Sequence, residues 1–220
     1  MKETTDFDDL HDVCLSSEPF DSVTQPLRFD RHPKLKRFAH YAEIEEPKYV
    51  ASGQQGTVFR FKCRGKDLCL KLFKEWRDAG SSRVFNEQSQ KLLNPFNGTF
   101  AVRCHGWMTL TGADLARFLA VDKSTMIPPR YNTKWAIVKD YIPNGPRESD
   151  LGTIIDNLQV ARQAWLLPED IKPANYKESF LVDLGNTKTF PTRFASAFEF
   201  HQFYEYGCKC LKSKGWLSSW

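Results

Sequence analysis

The chain has 220 residues, of which 41% are hydrophobic, 14% aromatic and 26% charged, a composition typical of a globular protein. Its length fits one large domain or two small lobes with a sizeable core. The net charge of +4 conceals an asymmetry, because residues 1–27 carry seven acids and one lysine and the remaining residues therefore carry +10. A basic body suits a phosphate-bearing ligand, an acidic partner or nucleic acid, and charge alone does not choose among them.

The sequence also disfavours several classes of protein. No apolar run approaches the length needed to span a bilayer, and the acidic start is not a secretory signal peptide. The six cysteines are scattered, without a Cys-x-x-Cys pair or a histidine at partnering spacing, which predicts reduced thiols in place of a zinc site. We therefore expect an intracellular protein, nuclear or cytoplasmic, with no membrane partner. Nucleic acid fits the charge, but no nucleic-acid-binding motif indicates it.

Residues 1–40 are predicted to form an acidic, flexible N-terminal arm. Residues 1–30 are acidic, interrupted by serine and proline, and lack a clear hydrophobic period. A solvated tail and a partner-binding arm both fit this composition. Residues 31–37 add a short basic cluster that leads into the folded part.

A β-hairpin is predicted by apolar alternation over residues 59–63 and an apolar run over 68–73, separated by a glycine-containing turn. Lys71 lies inside the second strand, where an unpaired ammonium is costly to bury. It is therefore either an exposed lysine on an edge strand or a buried lysine with a carboxylate partner. Glu87 is the sole carboxylate in the helix predicted over 84–93, and it is our candidate partner for Lys71.

The remaining elements are predicted from apolar runs and helical periodicity. His105 lies in one of these strands, and we expect its ring to meet a neighbouring backbone carbonyl rather than to act as a catalyst. The last helix is rich in phenylalanine and tyrosine, which predicts either core packing or a partner surface. In chain order, strands are predicted over 101–110 and 135–142 with a long insert over 111–134 between them, a hinge over 143–146, and helices over 151–165 and 196–211.

The strongest chemical pattern consists of Asp170, Asn175 five residues later, and Asp183 in an Asp-Leu-Gly that follows a short apolar strand. This pattern resembles the catalytic loop and metal-binding strand of protein-kinase-like folds. The resemblance implies that Asp170 is the catalytic base and that Lys172 faces the transferring phosphate. It also implies that Asn175 and Asp183 hold magnesium ions that bridge the nucleotide phosphates.

A glycine-bearing turn ahead of the hairpin resembles the kinase glycine loop. Gly53, Gly56 and Val58 match the pattern Gly-x-Gly-x-x-Gly-x-Val, whereas an alanine replaces its first glycine. Such a loop lets backbone amides lie close over phosphates. Together with Lys71 and Glu87, these residues are the ATP-binding set that the resemblance implies.

Five parts thus stand in kinase order: glycine loop, strand lysine, helix glutamate, catalytic-loop motif and Asp-Leu-Gly. The resemblance implies an α+β, two-lobed protein-kinase-like fold, with an antiparallel N-lobe sheet over 41–142 and a truncated helical C-lobe over 143–220. Within that superfamily the chain is similar to a fungal group of small kinase-like proteins that includes a kinetochore subunit of the centromere-associated network. The segments that carry this similarity are 85–87, 104–107, 136–142, 170–176, 181–183 and 189–191.

The chain also departs from the kinase pattern. Residues 168–169 are Pro-Glu where kinases have His-Arg, so the histidine that braces the catalytic loop and the arginine that contacts a phosphorylated activation loop are both absent. Only 35 residues follow Gly185, which leaves little of the helical platform that binds a peptide substrate. Lys139 aligns with the back wall of the adenine pocket, where an unpaired charge costs several kcal/mol.

Two functions remain open. One is an ATP- and magnesium-binding phosphotransferase. The alternative is a catalytically inactive pseudokinase that serves as an interaction scaffold at the kinetochore. In either case a protein partner would bind through the aromatic C-terminal helix or the acidic N-terminal arm. The sequence does not identify a phosphoacceptor, a partner or an oligomeric state.

Overall fold

The computed structural model describes residues 15–20, 35–53, 55–74, 97–122, 132–163, 166–184, 187–189, 197–213 and 215–218. The chain divides into two compact units. The first comprises Met1–Leu93 and Cys104–Tyr141, and the second comprises Asn94–Arg103 and Ile142–Trp220. Within the described ranges, no helix is both long enough and apolar enough to cross a bilayer.

A seven-stranded sheet forms the first unit, in the order β1-β2-β6-β7-β5-β4-β3. Strands β3 to β7 pair antiparallel, whereas β1 pairs parallel with β2 and β2 pairs parallel with β6. The mixed α and β content of the prediction is confirmed. The strands are β1 (Leu15–Phe20), β2 (Leu35–Phe38), β3 (Glu45–Ser52), β4 (Gly56–Cys63), β5 (Lys66–Lys74), β6 (Cys104–Thr109) and β7 (Asn132–Asp140).

Strands β1 and β2 come from the stretch for which the sequence suggests an arm. β2 has apolar residues at its two ends, and both Leu35 and Phe38 are buried. Residues 36–37 between them are charged, so the strand lacks the strict period-2 alternation that predicts a half-buried strand. The apolar ends of β2 therefore anchor it to the sheet, although its sequence pattern is weak.

The core of the first unit lies on one face of this sheet. Phe59 and Phe61 of β4 and Leu70 of β5 are fully buried there, because strand residues two apart point to the same face. Helix α1 (Gly112–Leu119) covers this face and places Phe118 against Phe59, with 5.2 Å between the ring centroids.

Helix α1 was missed by the sequence analysis, which treats residues 111–134 as an insert. A capping signal was nevertheless present. The Thr111 side chain accepts a hydrogen bond from the backbone N–H of Asp114, and a Thr-x-x-Asp spacing before an apolar run is typical of a helix start. The eight-residue helix is short, which makes its periodicity hard to detect.

In the second unit, helix α2 (Leu151–Gln163) and helix α3 (Ala197–Lys212) end within two residues of their predicted limits. Helix α2 buries Ile154, Leu158 and Ala161, which belong to its predicted apolar stripe. Two short antiparallel pairs complete the unit, β8 with β11 and β9 with β10. These strands are β8 (Leu166–Pro168), β9 (Tyr176–Lys177), β10 (Phe180–Leu181) and β11 (Thr187–Thr189).

The described cysteines are thiols rather than disulfides, and two of them predict how stability depends on pH. Burial raises the pKa of Cys104 to about 11 and that of Cys69 to about 12, from 9.0. Above pH 9 the unfolded chain therefore loses these protons before the folded chain does, and stability falls. For Cys104 the slope is at most about 1.4 kcal/mol per pH unit between pH 9 and 11.

Urea unfolding at a series of pH values from 8 to about 10.5 tests this expectation. The unfolding free energy should fall less steeply above pH 9 in Cys104→Ala than in the wild type. Equal slopes in the two proteins would contradict the prediction. Buried tyrosines with raised pKa values give the wild type and the variant the same additional slope, so the difference between the two slopes isolates Cys104.

Candidate functional site

The first group of predicted site residues lies at the turn between β3 and β4. The backbone N–H of Gly53 donates to the carbonyl of Gly56 (2.9 Å), and the N–H of Lys74 donates to the carbonyl of Gln55 (3.1 Å). A Cβ at Gly56 would overlap the carbonyl oxygen of Leu72 on the neighbouring strand, whereas a Cβ at Gly53 would meet nothing within 4 Å. Close strand packing therefore accounts for Gly56, independently of any ligand.

Lys71 lies opposite Val58 in the β4–β5 ladder and is 8% exposed. Its ammonium donates to Oε1 of Gln55 (3.4 Å) and lies 5.6 Å from the centroid of the Phe73 ring. The prediction that Lys71 is buried is thus confirmed. Glu87 falls outside the described residues, so its ion pair with Lys71 stays a prediction.

A second buried lysine at the same turn was missed by the sequence analysis. Lys74 is 4% exposed, and its ammonium donates to the Ser52 hydroxyl and to the carbonyl of Gly53 (3.3 Å). Desolvation lowers its pKa. The backbone N–H and the ammonium of Lys74 therefore both stabilise the turn between β3 and β4. The sequence contained an indication that Lys74 is buried, because Lys74 directly follows the apolar run that contains Lys71.

Lys139 lies in the middle of the sheet, flanked by Cys69 on β5 and by Cys104 on β6 in the strand registers. Residues directly opposite in neighbouring strands share a face, so the three side chains form one row. Lys139 is buried, and its predicted position at the back wall of an adenine pocket stays a prediction. A positive charge in this row lowers the pKa of both thiols, but desolvation outweighs it.

One partner of His105 is a carboxylate. Its Nε2 lies 2.7 Å from Oδ1 of Asp140. The expected contact of the ring with a backbone carbonyl stays a prediction. The register of β6 against β7 shifts between Cys104 and Gly106, which leaves His105 in a bulge. Such bulges redirect side chains, and sequence alternation does not reveal them.

The second group of predicted residues, in the second unit, forms a compact loop. The ammonium of Lys172 lies 2.8 Å from Oδ2 of Asp170. The backbone carbonyl of Asp170 accepts bonds from the N–H of Lys172 (3.1 Å) and from Nδ2 of Asn175 (2.8 Å). The structure therefore brings Asp170, Lys172 and Asn175 together as the sequence pattern requires.

Asn175 also connects this loop to the strand that precedes Asp183. Its carbonyl accepts a bond from the N–H of Val182 (2.8 Å), and Asp183 itself is half-buried. On the other side of the loop, Nε1 of Trp216 donates to the carbonyl of Ile171 (3.1 Å). The amide of Asn175 uses its Nδ2 within the loop, so its Oδ1 and the carboxylate of Asp183 are the oxygen donors that a magnesium ion would require.

Asn175→Ala should destabilise the second unit by about 1–2 kcal/mol, because it removes the bond that Nδ2 makes to the Asp170 carbonyl. Asp170→Ala is the matched control. It removes only a partly exposed ion pair with Lys172, worth at most about 1 kcal/mol, and keeps the backbone carbonyl. Urea unfolding of both variants shows which one loses more unfolding free energy, and a larger loss in Asp170→Ala than in Asn175→Ala would contradict the prediction.

Comparison with known proteins assigns the chain to a family. The model of the family described as kinetochore Sim4 complex subunit FTA2 matches residues 22–97 and 89–188. Together these segments span residues 22–188, which is more than three quarters of the chain. The chain belongs to the FTA2 family. A search of curated proteins found no match.

The FTA2 match covers the turn at residues 52–56, both buried lysines beside it and the loop at 170–175, and it ends before helix α3. The kinetochore-subunit part of the predicted resemblance is thereby confirmed. The protein-kinase-like part, with its ATP, magnesium and catalytic roles, stays a prediction.

Proposed function

We propose that this FTA2-family chain is an assembly subunit of a kinetochore complex in the nucleus and acts by binding other proteins. The observation that carries the proposal is the family match over residues 22–188. A subunit of a complex needs protein-binding surfaces, and α3 offers one, because Phe203 and Tyr206 are exposed on it. The acidic residues 1–14, which precede β1, are the second surface we propose.

The contacts of the Asp170 loop are compatible with a structural role. The carboxylate of Asp170 pairs with Lys172, and its carbonyl accepts two bonds from within the loop. Asn175 in turn links the loop to Val182. These side chains therefore contribute to the folded loop whether or not a nucleotide binds.

Reconstitution with the other subunits of the Sim4 complex tests this function. A variant that combines Asp170→Ala and Asp183→Asn should assemble as the wild type does, with no dependence on ATP. Phe203→Glu combined with Tyr206→Glu should reduce assembly, and so should deletion of residues 1–14. A folded wild type that does not assemble with these subunits would overturn the proposal, and circular dichroism verifies the fold of each variant.

A second candidate function is ATP- and magnesium-dependent phosphotransfer by a protein-kinase-like fold, with the lobes predicted over 41–142 and 143–220. The observation that favours it is the 2.8 Å pair of Asp170 and Lys172 beside Asn175, a cluster that combines base, cation and amide. In this proposal Asp170 removes the acceptor proton, Lys172 faces the phosphate, and Asn175 and Asp183 bind magnesium. The ATP-binding residues would be Gly53, Gly56, Val58, Lys71 and Glu87.

Thermal shift with ATP, with and without magnesium, distinguishes this candidate. A ligand at a hundred times its dissociation constant stabilises the folded state by about 2.7 kcal/mol. Asp183→Asn should remove the magnesium dependence, because the amide keeps the shape of the side chain but not its charge. If ATP does not stabilise the wild type, the phosphotransferase candidate is rejected and the assembly function stands alone.

A further inference from the structure

Residues 215–218, which we call the C-terminal strap, lie against the Asp170 loop, residues 170–175. The strap comprises a glycine and a single 3₁₀ turn, Trp216–Ser218. Nε1 of Trp216 donates to the backbone carbonyl of Ile171 (3.1 Å), and its ring meets the Tyr176 ring edge-on, with 5.8 Å between the centroids. Ile171 is near the start of the loop and Tyr176 directly follows it. One tryptophan therefore contacts both ends of the loop.

Helix α3, which precedes the strap, is held by contacts of its own. Phe200 and Tyr204 are buried, and the Tyr204 hydroxyl donates to the backbone carbonyl of Leu166. On one flank, Nδ1 of His201 lies 2.9 Å from a guanidinium nitrogen of Arg162 on α2. None of these contacts involves the strap, so α3 can stay docked on the second unit while the strap moves.

A tight turn joins the strap to α3. The backbone N–H of Trp216 donates to the carbonyl of Ser213 (3.3 Å), and Gly215 between them has φ +98°, a conformation that favours glycine. Gly207 on α3 and Trp216 after the turn both meet Ile171, because a Cβ at Gly207 would lie 2.6 Å from Cδ1 of Ile171. The turn at Gly215 therefore brings the strap back to the residue that α3 already contacts.

The closed strap leaves a polar group buried at the end of the loop. Tyr176 is 2% exposed, and its hydroxyl has no hydrogen-bond partner among the residues that the structure describes. Burial raises the pKa of this hydroxyl. An unsatisfied buried hydroxyl opposes burial, and water satisfies it once it is uncovered. The bond from Trp216 to Ile171 thus favours closure of the strap, whereas the Tyr176 hydroxyl favours opening.

We infer that the C-terminal strap opens and closes over the Asp170 loop while α3 stays docked. In the closed state, which the structure shows, Trp216 fixes the Ile171 carbonyl and covers Tyr176. In the open state both polar groups reach water, and the loop loses order. The inference goes beyond the proposed function, because it concerns how the loop is held and not what the chain binds.

Opening would act on the candidate site through Ile171. The carbonyl of Asp170, the preceding residue, accepts bonds from the N–H of Lys172 and from Nδ2 of Asn175. Release of the Ile171 carbonyl therefore loosens the backbone on which these two bonds depend. The strap lies beyond residue 188, where the FTA2 match ends, so it controls the loop from outside the matched part of the chain.

Native-state hydrogen exchange of the full isotope-labelled chain, followed by NMR at a series of low urea concentrations, measures this opening. The indole N–H of Trp216 and the backbone N–H groups of Lys172 and Asn175 are hydrogen-bonded in the closed state. We expect them to exchange with one common opening free energy and a weak dependence on urea. The amides of α2 should require a larger opening free energy with a steep urea dependence, because unfolding of the whole unit exposes them.

Two substitutions should move the opening equilibrium in opposite directions. Trp216→Phe keeps an aromatic ring but removes the N–H donor, and it should speed exchange in the loop about fivefold. Tyr176→Phe removes the hydroxyl that closure leaves unsatisfied, and it should slow exchange in the loop about fivefold. Lys209→Ala, on the exposed surface of α3, is the matched control and should leave these exchange rates as they are in the wild type.

Three results would each overturn the inference. Loop protons that exchange only together with the α2 amides would show that no separate opening exists. Unchanged loop exchange in Trp216→Phe would show that the strap does not hold the loop, and a Tyr176→Phe variant that exchanges no more slowly would show that opening leaves Tyr176 covered. If either variant fails to fold, the urea dependence of the wild type still decides. None of these results bears on Sim4 assembly or ATP binding, so the proposed function depends on its own tests.

Discussion

Gly56→Ala is expected to destabilise the first unit by about 2–3 kcal/mol, the upper range for an atom forced into a packed interior. The added Cβ would overlap the Leu72 carbonyl oxygen and lie 3.2 Å from its carbonyl carbon, both backbone atoms of β5. Backbone cannot rotate away as a side chain can. Relief would require β4 and β5 to separate at the point where Gly56 opposes Phe73 and Thr57 opposes Leu72.

Gly53→Ala, in the same turn, is the matched control. Its Cβ would meet nothing within 4 Å, and its effect should stay within about 0.5 kcal/mol. Urea unfolding followed by circular dichroism compares the two variants with the wild type. Equal destabilisation by both substitutions would show that the turn, and not the contact with β5, requires glycine.

The different surroundings of Gly53 and Gly56 give the two glycines different weight as evidence for a phosphate-binding loop. Gly53 and Gly56 match a phosphate-binding loop equally well in sequence, yet the structure gives them different surroundings. Gly56 is explained by the proximity of β5, so its presence is not evidence for a nucleotide. Gly53 has no such explanation, and ATP stabilisation measured in Gly53→Ala therefore tests the loop more directly than the same measurement in Gly56→Ala.

The elements with a strong period were predictable. Strands β4 and β5 alternate or run apolar, and helices α2 and α3 carry a stripe at helical spacing, so their residues alone indicate the element. Helix α1 is too short for periodicity to be clear, and only its capping signal at Thr111 was informative. Strand β2 depends on two buried residues and on its neighbours in the sheet, which the local sequence does not contain.

The site was predictable where its residues are close in sequence. Asp170, Lys172 and Asn175 contact one another within one loop, so their spacing in the sequence was enough to predict that they lie close together. Contacts between segments that are distant in sequence were harder to predict. The carboxylate partner of His105 depends on a bulge in β6, and the contact of Lys74 with Ser52 depends on how β5 returns to the turn. Both require the register between strands, which spacing along the chain does not specify.

The largest local effect is expected for Gly106→Ala. Gly106 has φ +132°, a conformation that side chains other than glycine rarely adopt. A Cβ there would lie 2.5 Å from the Lys36 carbonyl oxygen and 3.0 Å from the Phe38 nitrogen, both in the backbone of β2. Backbone strain and steric overlap therefore act together, and we expect a cost of about 3 kcal/mol or more.

Detachment of β2 is the expected response to this substitution, because β2 is joined to β6 by a single register pair, Arg37 with Trp107. Amide hydrogen exchange should lose protection over residues 35–38 in Gly106→Ala, while β4 and β5 keep theirs. Gly112→Ala, whose Cβ would meet nothing within 4 Å, is the control and should leave the exchange pattern unchanged. If β2 kept its protection, the strand would be held by contacts other than its approach to Gly106. If β4 and β5 lost protection together with β2, all three strands would unfold as one cooperative unit, and β2 would be part of the core rather than an addition to its edge.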